Sequence, residues 1–164
     1  MQASLRKIHR ICAATACALL TFPAAHAEES LLSGETLREQ ASQRINNLST
    51  AELVEALEQR PHSVLIDVRT PREIHLLGGT IDAPRSYNIP RGWLEFRIAA
   101  RVPVRDTPIV VYCGINRRSP LAAQRLMQMG YRNVSIYSDG FFAWRVAGLP
   151  VEARDEAVAS RLFS

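Results

Sequence analysis

The fold is decided by residues 108–137, which read PIVVYCGINRRSPLAAQRLMQMGYRNVSIY. The segment begins with the apolar run Pro108–Tyr112 and ends with the apolar run Val134–Tyr137, and both runs are typical of strands buried on both faces of a parallel sheet. Between them Pro120–Met129 has helical spacing, with Ser119 as its predicted N-cap and a glycine as its stop. Strand, turn, helix and strand make a βαβ unit, so the sequence predicts an α/β fold.

The upstream sequence adds a third strand and a second long helix. Val64–Val68 is another nearly continuous apolar run. Ser49 and Glu52 form a capping box that predicts a helix over Thr50–Gln59. The aromatic residues of the C-terminal half are predicted to be core or pocket wall: Trp93, Phe96, Phe141, Phe142 and Trp144. Shorter helices are predicted at Pro71–Leu76, Trp93–Ala100 and Gly140–Ala147.

The first 27 residues have the pattern of a secretory signal peptide. A basic start precedes the charge-free run Ile11–Phe22, and Ala25-His26-Ala27 forms a small-x-small cleavage site. The run is well short of the roughly 20 apolar residues that span a bilayer. We therefore predict cleavage near Ala27, export to a periplasm or the exterior, and no stable membrane insertion afterwards. An uncleaved anchor helix and a lipoprotein modified at Cys17 are the alternatives.

The rest of the chain divides into three predicted parts. Residues 28–47 are polar with sparse leucines and form either a helical or a partly ordered arm. Residues 48–153 form the single α/β domain, and residues 154–164 form a C-terminal tail. This length suits one domain, since domains usually have roughly 100–150 residues.

Removing the predicted signal changes the charge and the cysteine count. Lys+Arg falls from 20 to 17 while all 16 acidic residues remain, which leaves a net charge of +1 and no lysine. No basic stripe is left for nucleic acid, and no lysine is left for a Schiff base or a P-loop. Cys113 becomes the only cysteine, which excludes an internal disulfide and a zinc site of several cysteines.

Cys113 stands where the predicted strand meets the N-terminus of the predicted helix. Successive backbone N–H groups of such a turn converge into an anion-binding nest. The helix dipole, together with Arg117 and Arg118, is expected to lower the pKa of the thiol and favour a nucleophilic thiolate. The alternative is an inert core cysteine.

The sequence resembles the rhodanese (sulfurtransferase) superfamily in its single-domain form, from about Leu48 to Val151. Residues 67–73 resemble its D-V-R-x-P-x-E segment, and residues 87–90 resemble its N-I-P strand end. Residues 111–119 resemble its catalytic loop, and residues 130–151 resemble its C-terminal signature. The motifs occur in the family's order.

The resemblance implies a three-layer fold with a five-stranded parallel sheet and helices on both faces. It implies that Cys113 takes a sulfane sulfur from thiosulfate or a persulfide, holds it as a persulfide, and passes it to cyanide, a small thiol or a protein thiol. No metal or organic cofactor is implied. The persulfide cradle consists of Gly114, Ile115, Asn116, Arg117, Arg118 and Ser119. Asp67 and Arg69 match a pair that supports the loop from the neighbouring strand end, or that is a purely structural salt bridge.

Two other functions remain open. A non-catalytic rhodanese-like module would use the same cradle to bind an anion or a peptide. A cysteine-dependent phosphatase or arsenate reductase is the second, but the family with that chemistry has a C-x5-R loop and this chain has C-x4-R, ending at Arg118. Asn116 stands where the family loop usually has glycine, and asparagine tolerates the left-handed conformation better than most residues.

Overall fold

The computed structural model describes residues 31–153, in which seven short strands are interspersed with six α-helices. The predicted signal peptide and the predicted tail lie outside these residues. The strands are β1 (Asn46–Leu48), β2 (Val64–Asp67), β3 (Thr80–Ile81), β4 (Ser86–Asn88), β5 (Ile109–Tyr112), β6 (Val134–Tyr137) and β7 (Val151–Glu152). The helices are α1 (Gly34–Ser42), α2 (Thr50–Gln59), α3 (Pro71–Leu76), α4 (Leu94–Arg101), α5 (Ser119–Gln128) and α6 (Gly140–Val146), with a 3₁₀ turn at Arg91–Trp93.

Five of the strands form one parallel sheet in the order β1-β6-β5-β2-β4. Strand β5 lies at its centre and β2 lies beside it, with Asp67 opposite Tyr112 in the register. Strands β3 and β7 form a separate antiparallel pair. The predicted α/β class and the five-stranded parallel sheet are confirmed. Because parallel strands end at the same edge, the residues that follow β2 and β5 are neighbours.

Helices cover both faces of this sheet. On one face the buried side chains of α1, α4 and α5 pack against alternate residues of the strands, including Ile66 and Val111. On the other face α2 and α6 pack against the opposite set, including Leu65 and Tyr112. Both β2 and β5 are buried along their whole length, which explains their continuous apolar sequence.

Most helices begin at or close to the residue that the sequence predicts. The predicted Ser49–Glu52 capping box opens α2, and α2 has the predicted bounds. A second capping box, formed by Thr70 and Glu73, opens α3. The prediction that Ser119 is an N-cap was wrong, because Ser119 is the first residue of α5 and Arg118 is its N-cap. No side chain caps α5, so the Ser119 hydroxyl is available for another contact.

The predicted arm contains a regular helix. Ser33 caps α1 by accepting a hydrogen bond from the Thr36 N–H, and α1 packs against α5 with Ala41 fully buried. Among the aromatic residues, Phe141 and Trp144 are buried as predicted, while Trp93, Phe96 and Phe142 are largely exposed. Within residues 31–153 there is no helix with the length and apolarity to cross a membrane.

Candidate active site

The turn between β5 and α5 contains Cys113 and all the predicted cradle residues. Cys113 directly follows β5 and is only 1% exposed. Gly114 is buried, Ile115 and Arg117 are exposed, and Arg118 is partly buried at the start of α5. Asn116 has φ of 56°, which is the left-handed conformation that asparagine tolerates better than most residues. That one residue lets the chain turn back within four residues, so that successive N–H groups face the same point.

The Cys113 thiol lies among hydrogen-bond donors. Burial alone raises its pKa, but this effect is outweighed by the Ser119 hydroxyl and by the backbone N–H groups of Arg118, Ser119 and Ile115, so that the pKa is lowered. Ser119 Oγ is buried without a hydrogen-bond partner among the described residues, and it lies close enough to the thiol to help lower the Cys113 pKa. The site therefore favours a thiolate, and donors from three backbone positions surround that anion.

Arg118 connects the cradle to α3. Its Nη1 and Nη2 donate to the two carboxylate oxygens of Glu73 at 2.7 and 2.5 Å. The Arg118 hydrogen bond is the largest influence on Glu73 and, with the Thr70 capping contacts, lowers the Glu73 pKa to about 2. The Arg118 guanidinium also interacts with Cys113. Glu73 thus holds the guanidinium beside the thiol while it also caps its own helix.

The N-terminus of α6 fixes the other side of the turn. The N–H groups of Phe141 and Phe142 donate to the carbonyl oxygens of Cys113 and Gly114 at 2.9 and 3.1 Å. Gly140 has φ of 77°, and a Cβ at this position would lie 2.5 Å from the Gly114 oxygen. With these carbonyls held by α6, the N–H groups of the turn remain free for the sulfur.

Asp67 and Arg69 do not enter the cradle. They form a fully buried ion pair in which Arg69 Nη2 donates to Asp67 Oδ2 at 2.5 Å and to the Gly79 carbonyl at 2.8 Å. The Arg69 guanidinium lies 3.7 Å from the centre of the Phe141 ring. The pair therefore supports the turn indirectly, through the helix whose first N–H groups bond to the loop carbonyls.

Sequence reasoning missed two positioning residues, Glu73 and Gly140. Both lie within the motifs that carry the resemblance, but only the fold places them against the loop. The sequence contains a recognisable signal for Glu73, because Thr70 and Glu73 have the spacing of a capping box. Gly140 had none, because its constraint is a contact with a loop 26 residues earlier in the chain. Within residues 31–153 no three acidic, histidine or cysteine side chains are grouped as they would be to hold a metal ion.

A buried thiol whose anion is held by backbone N–H groups at a strand-to-helix turn has the arrangement that a nucleophilic cysteine in an anion cradle requires. The chain belongs to the rhodanese family, since a Rhodanese-like domain is matched over residues 49–147. That match contains the cysteine, the cradle, Glu73 and Gly140, but it excludes α1.

Known relatives include a sulfurtransferase. The "Sulfurtransferase" of Allochromatium vinosum is 33% identical over 109 residues, covering 66% of this chain and 96% of the relative. The polysulfide-sulfur transferase homodimer of Wolinella succinogenes has a similar structure, with a TM-score of 0.65, 28% identity and coverage of 74% of this chain and 88% of that one. A Rhodopseudomonas palustris protein of unknown function, described as a possible tyrosine phosphatase, has a TM-score of 0.64, 34% identity and coverage of 74% and 95%.

Proposed function

We propose that this chain is a rhodanese-type sulfurtransferase that carries a sulfane sulfur on Cys113. The observation that carries the proposal is the buried thiol of lowered pKa, surrounded by the N–H groups of Ile115, Arg118 and Ser119. The identity to a named sulfurtransferase over most of the domain supports the same reaction class.

The proposed first half-reaction uses thiosulfate or a persulfide as the donor. With thiosulfate, the Cys113 thiolate attacks the outer sulfur and forms a new S–S bond. The bond between the outer sulfur and the sulfonate sulfur breaks, and its electron pair leaves with sulfite. One thiolate and one dianion become one persulfide anion and one dianion, so charge and electrons balance without an oxidant or a proton.

The second half-reaction returns the thiolate. Cyanide or a thiolate attacks the terminal sulfur of the Cys113 persulfide, and the S–S bond breaks with its electron pair on Cys113. The products are thiocyanate or a new persulfide. The cradle's contribution is electrostatic, because preorganised N–H groups stabilise the terminal sulfur anion of the persulfide before the transfer and the Cys113 thiolate after it. A protein thiol is a further acceptor of the same chemistry.

Intact-mass measurement tests this function. Cys113 is the only cysteine after residue 27, so a gain of one sulfur atom after incubation with thiosulfate identifies the persulfide carrier. Cyanide is expected to remove that sulfur. A protein that binds thiosulfate or sulfite but never gains sulfur would instead be the non-catalytic anion-binding module.

Loop size argues against phosphatase chemistry. A tetrahedral phosphate accepts hydrogen bonds on three oxygens and needs the larger C-x5-R ring, whereas here Arg118 closes a C-x4-R turn. We therefore do not extend the possible phosphatase activity of the Rhodopseudomonas palustris protein to this chain. Absence of p-nitrophenyl phosphate hydrolysis by a preparation that transfers sulfur is the expected result.

We also propose that the protein is exported and begins at Glu28. The basic start, the charge-free run and Ala25-His26-Ala27 support this. N-terminal sequencing of protein from fractionated cells tests it, and an intact Met1 on cytoplasmic protein would contradict export without affecting the proposed reaction.

A further inference from the structure

A second cleft lies at the edge of the parallel sheet opposite Cys113. It is lined by the first residues of β1, β5 and β6, which are Asn46, Ile109 and Val134. Cys113 follows the last residue of β5, so the length of this strand separates the cleft from the cysteine loop. The cleft has a volume of about 430 Å³. Small-molecule sites commonly occupy roughly 300–1,000 Å³, so it can hold a small ligand.

The floor of the cleft is apolar. Leu48, Ala56, Val110 and Val134 line it, and each of them is 6–9% exposed. In contrast, Val111 on the opposite face of β5 is fully buried. The floor residues thus present part of their apolar surface to the cleft, and a ligand that covers this surface gains the free energy of removing it from water.

One turn supplies the polar wall of the cleft. The Ser63 N–H donates to the Arg60 carbonyl at 2.9 Å, and both residues line the cleft. Ser63 is 8% exposed, and its hydroxyl makes no hydrogen bond with any described residue. A nearly buried hydroxyl without a partner is costly, because it has lost most of its water and gained nothing in exchange. A ligand oxygen that accepts from Ser63 would remove that cost.

The wall also carries one uncompensated positive charge. Arg60 is exposed at the end of α2, and within residues 31–153 its guanidinium forms no ion pair. Arg132, the other arginine of the cleft, donates to Asp106 Oδ1 at 3.3 Å. Among the described residues, no aspartate or glutamate lines the cleft. A free guanidinium and a free hydroxyl therefore border an apolar floor.

We propose that this cleft binds a small organic carboxylate with an apolar body, of the aryl- or alkyl-carboxylic acid class. The carboxylate accepts hydrogen bonds from the Arg60 guanidinium and the Ser63 hydroxyl, and the apolar body covers Leu48, Val110 and Val134. A planar carboxylate matches the donor geometry of a single guanidinium. The site is independent of the sulfur transfer proposed for Cys113.

The balance of charge and apolar surface selects this class over inorganic or polyphosphate anions. Such an anion carries more than one negative charge, whereas Arg60 is the cleft's one arginine without a carboxylate partner among the described residues. A bound phosphate would also leave the floor uncovered. A neutral apolar molecule would cover the floor but leave the Ser63 hydroxyl without an acceptor.

3-Phenylpropanoate is the probe, and its binding is followed by the amide NMR signals of the proposed mature chain, from Glu28 onward. The signals of Ser63, Val110 and Ser135 are expected to shift together and to saturate. A ligand of about eleven non-hydrogen atoms is expected to give a Kd of about 0.1–1 mM. Shifts confined to residues 113–119 would place the carboxylate in the cysteine cradle and overturn the proposal.

Two substitutions test the polar wall. Arg60→Gln is expected to raise Kd about three- to tenfold, because it removes a charged hydrogen bond that solvent partly screens. Ser63→Ala is expected to raise Kd by about two- to fivefold. Arg101→Gln is the matched control, since Arg101 is exposed on α4, which covers the other face of the sheet. An equal effect of Arg101→Gln, or no effect of Arg60→Gln, would overturn the proposal.

Two analogues separate the carboxylate from the apolar body. 3-Phenylpropanamide lacks the charge, so it is expected to bind wild type more weakly and to be insensitive to Arg60→Gln. Acetate lacks the apolar body and is expected to cause no saturable shift. Acetate binding as tight as that of 3-phenylpropanoate would reduce the cleft to an adventitious anion site. Cys113→Ser, which cannot carry sulfur, is expected to bind the probe with the wild-type Kd, so the failure of either proposal leaves the other standing.

Discussion

The ends of β2 and β5 are neighbours in the sheet, and each is followed by an arginine paired with a carboxylate. Beyond β2, Arg69 pairs with Asp67, and neither side chain is exposed. Beyond β5, Arg118 pairs with Glu73, and about a third of each side chain is exposed. Both pairs join a guanidinium to a carboxylate with a shortest N–O distance of 2.5 Å. Arg69 donates through Nε and Nη2, whereas Arg118 donates through Nη1 and Nη2.

Burial separates their roles. A charge that loses its partner inside the protein keeps its full desolvation cost, so the Asp67–Arg69 pair is a structural requirement. Solvent screens an exposed pair, which makes the Glu73–Arg118 pair a weak contributor to stability. Arg118 remains accessible beside Cys113 and Arg69 does not. The same type of ion pair is thus sealed in the core at one strand end and holds an arginine beside Cys113 at the next.

The largest effect is expected at the turn after β5, the more exposed of the two regions. Cys113→Ser should abolish sulfur transfer, because serine is nearly isosteric but forms no persulfide. The fold should be retained, as checked by circular dichroism. Residual turnover above a few per cent of wild type, measured as thiocyanate formation, would mean that Cys113 is not the carrier.

Breaking the buried pair should affect stability rather than chemistry. Asp67→Asn leaves the Arg69 guanidinium buried without its counter-charge, and we expect a loss of about 3–5 kcal/mol in the free energy of unfolding. Urea denaturation measures this loss. The matched variant is Glu73→Gln at the other pair, and a loss as large as that of Asp67→Asn would remove the distinction between the two pairs.

Gly140→Ala tests the positioning of the turn. The new methyl group collides with the Gly114 carbonyl, and a displacement of the loop by about 1 Å should lower kcat by roughly 10- to 100-fold. Gly148→Ala is the matched control, since Gly148 also has a positive φ, of 68°, but has open space around its Cβ. Equal losses of kcat in both variants would assign the effect to backbone strain alone.

The smallest effect concerns stability at the exposed pair. Glu73→Gln should lower the free energy of unfolding by at most about 1 kcal/mol at neutral pH, because both side chains are partly solvated. The folded pKa of Glu73 is about 2, below the ordinary value of 4.5, so its stabilisation is complete above about pH 5 and is lost as pH falls from 4.5 towards 2. The difference between wild type and Glu73→Gln should disappear over that range. A difference that persists at pH 2 would show that it does not depend on the carboxylate charge.

Periodicity and local signals predicted most of the architecture. The buried strands read as apolar runs, and the Ser49–Glu52 capping box gave α2 its bounds. The helix after Cys113 was predicted one residue late. Ser119 has the chemistry of an N-cap, but it is the first residue of α5 and its side chain is buried near the thiol, a placement that local propensity does not contain.

The α/β fold and the position of Cys113 in a strand-to-helix turn could be predicted from the sequence, because both follow from runs of adjacent residues. Only the packed structure shows that Arg69 is buried and that Arg118 is partly exposed. It also places Glu73 and Gly140 against the loop, and α1 against the helix that follows it. Those relations join residues that lie far apart in the chain. They depend on which strands are neighbours in the sheet and which helices cover their ends, and a linear pattern does not specify either.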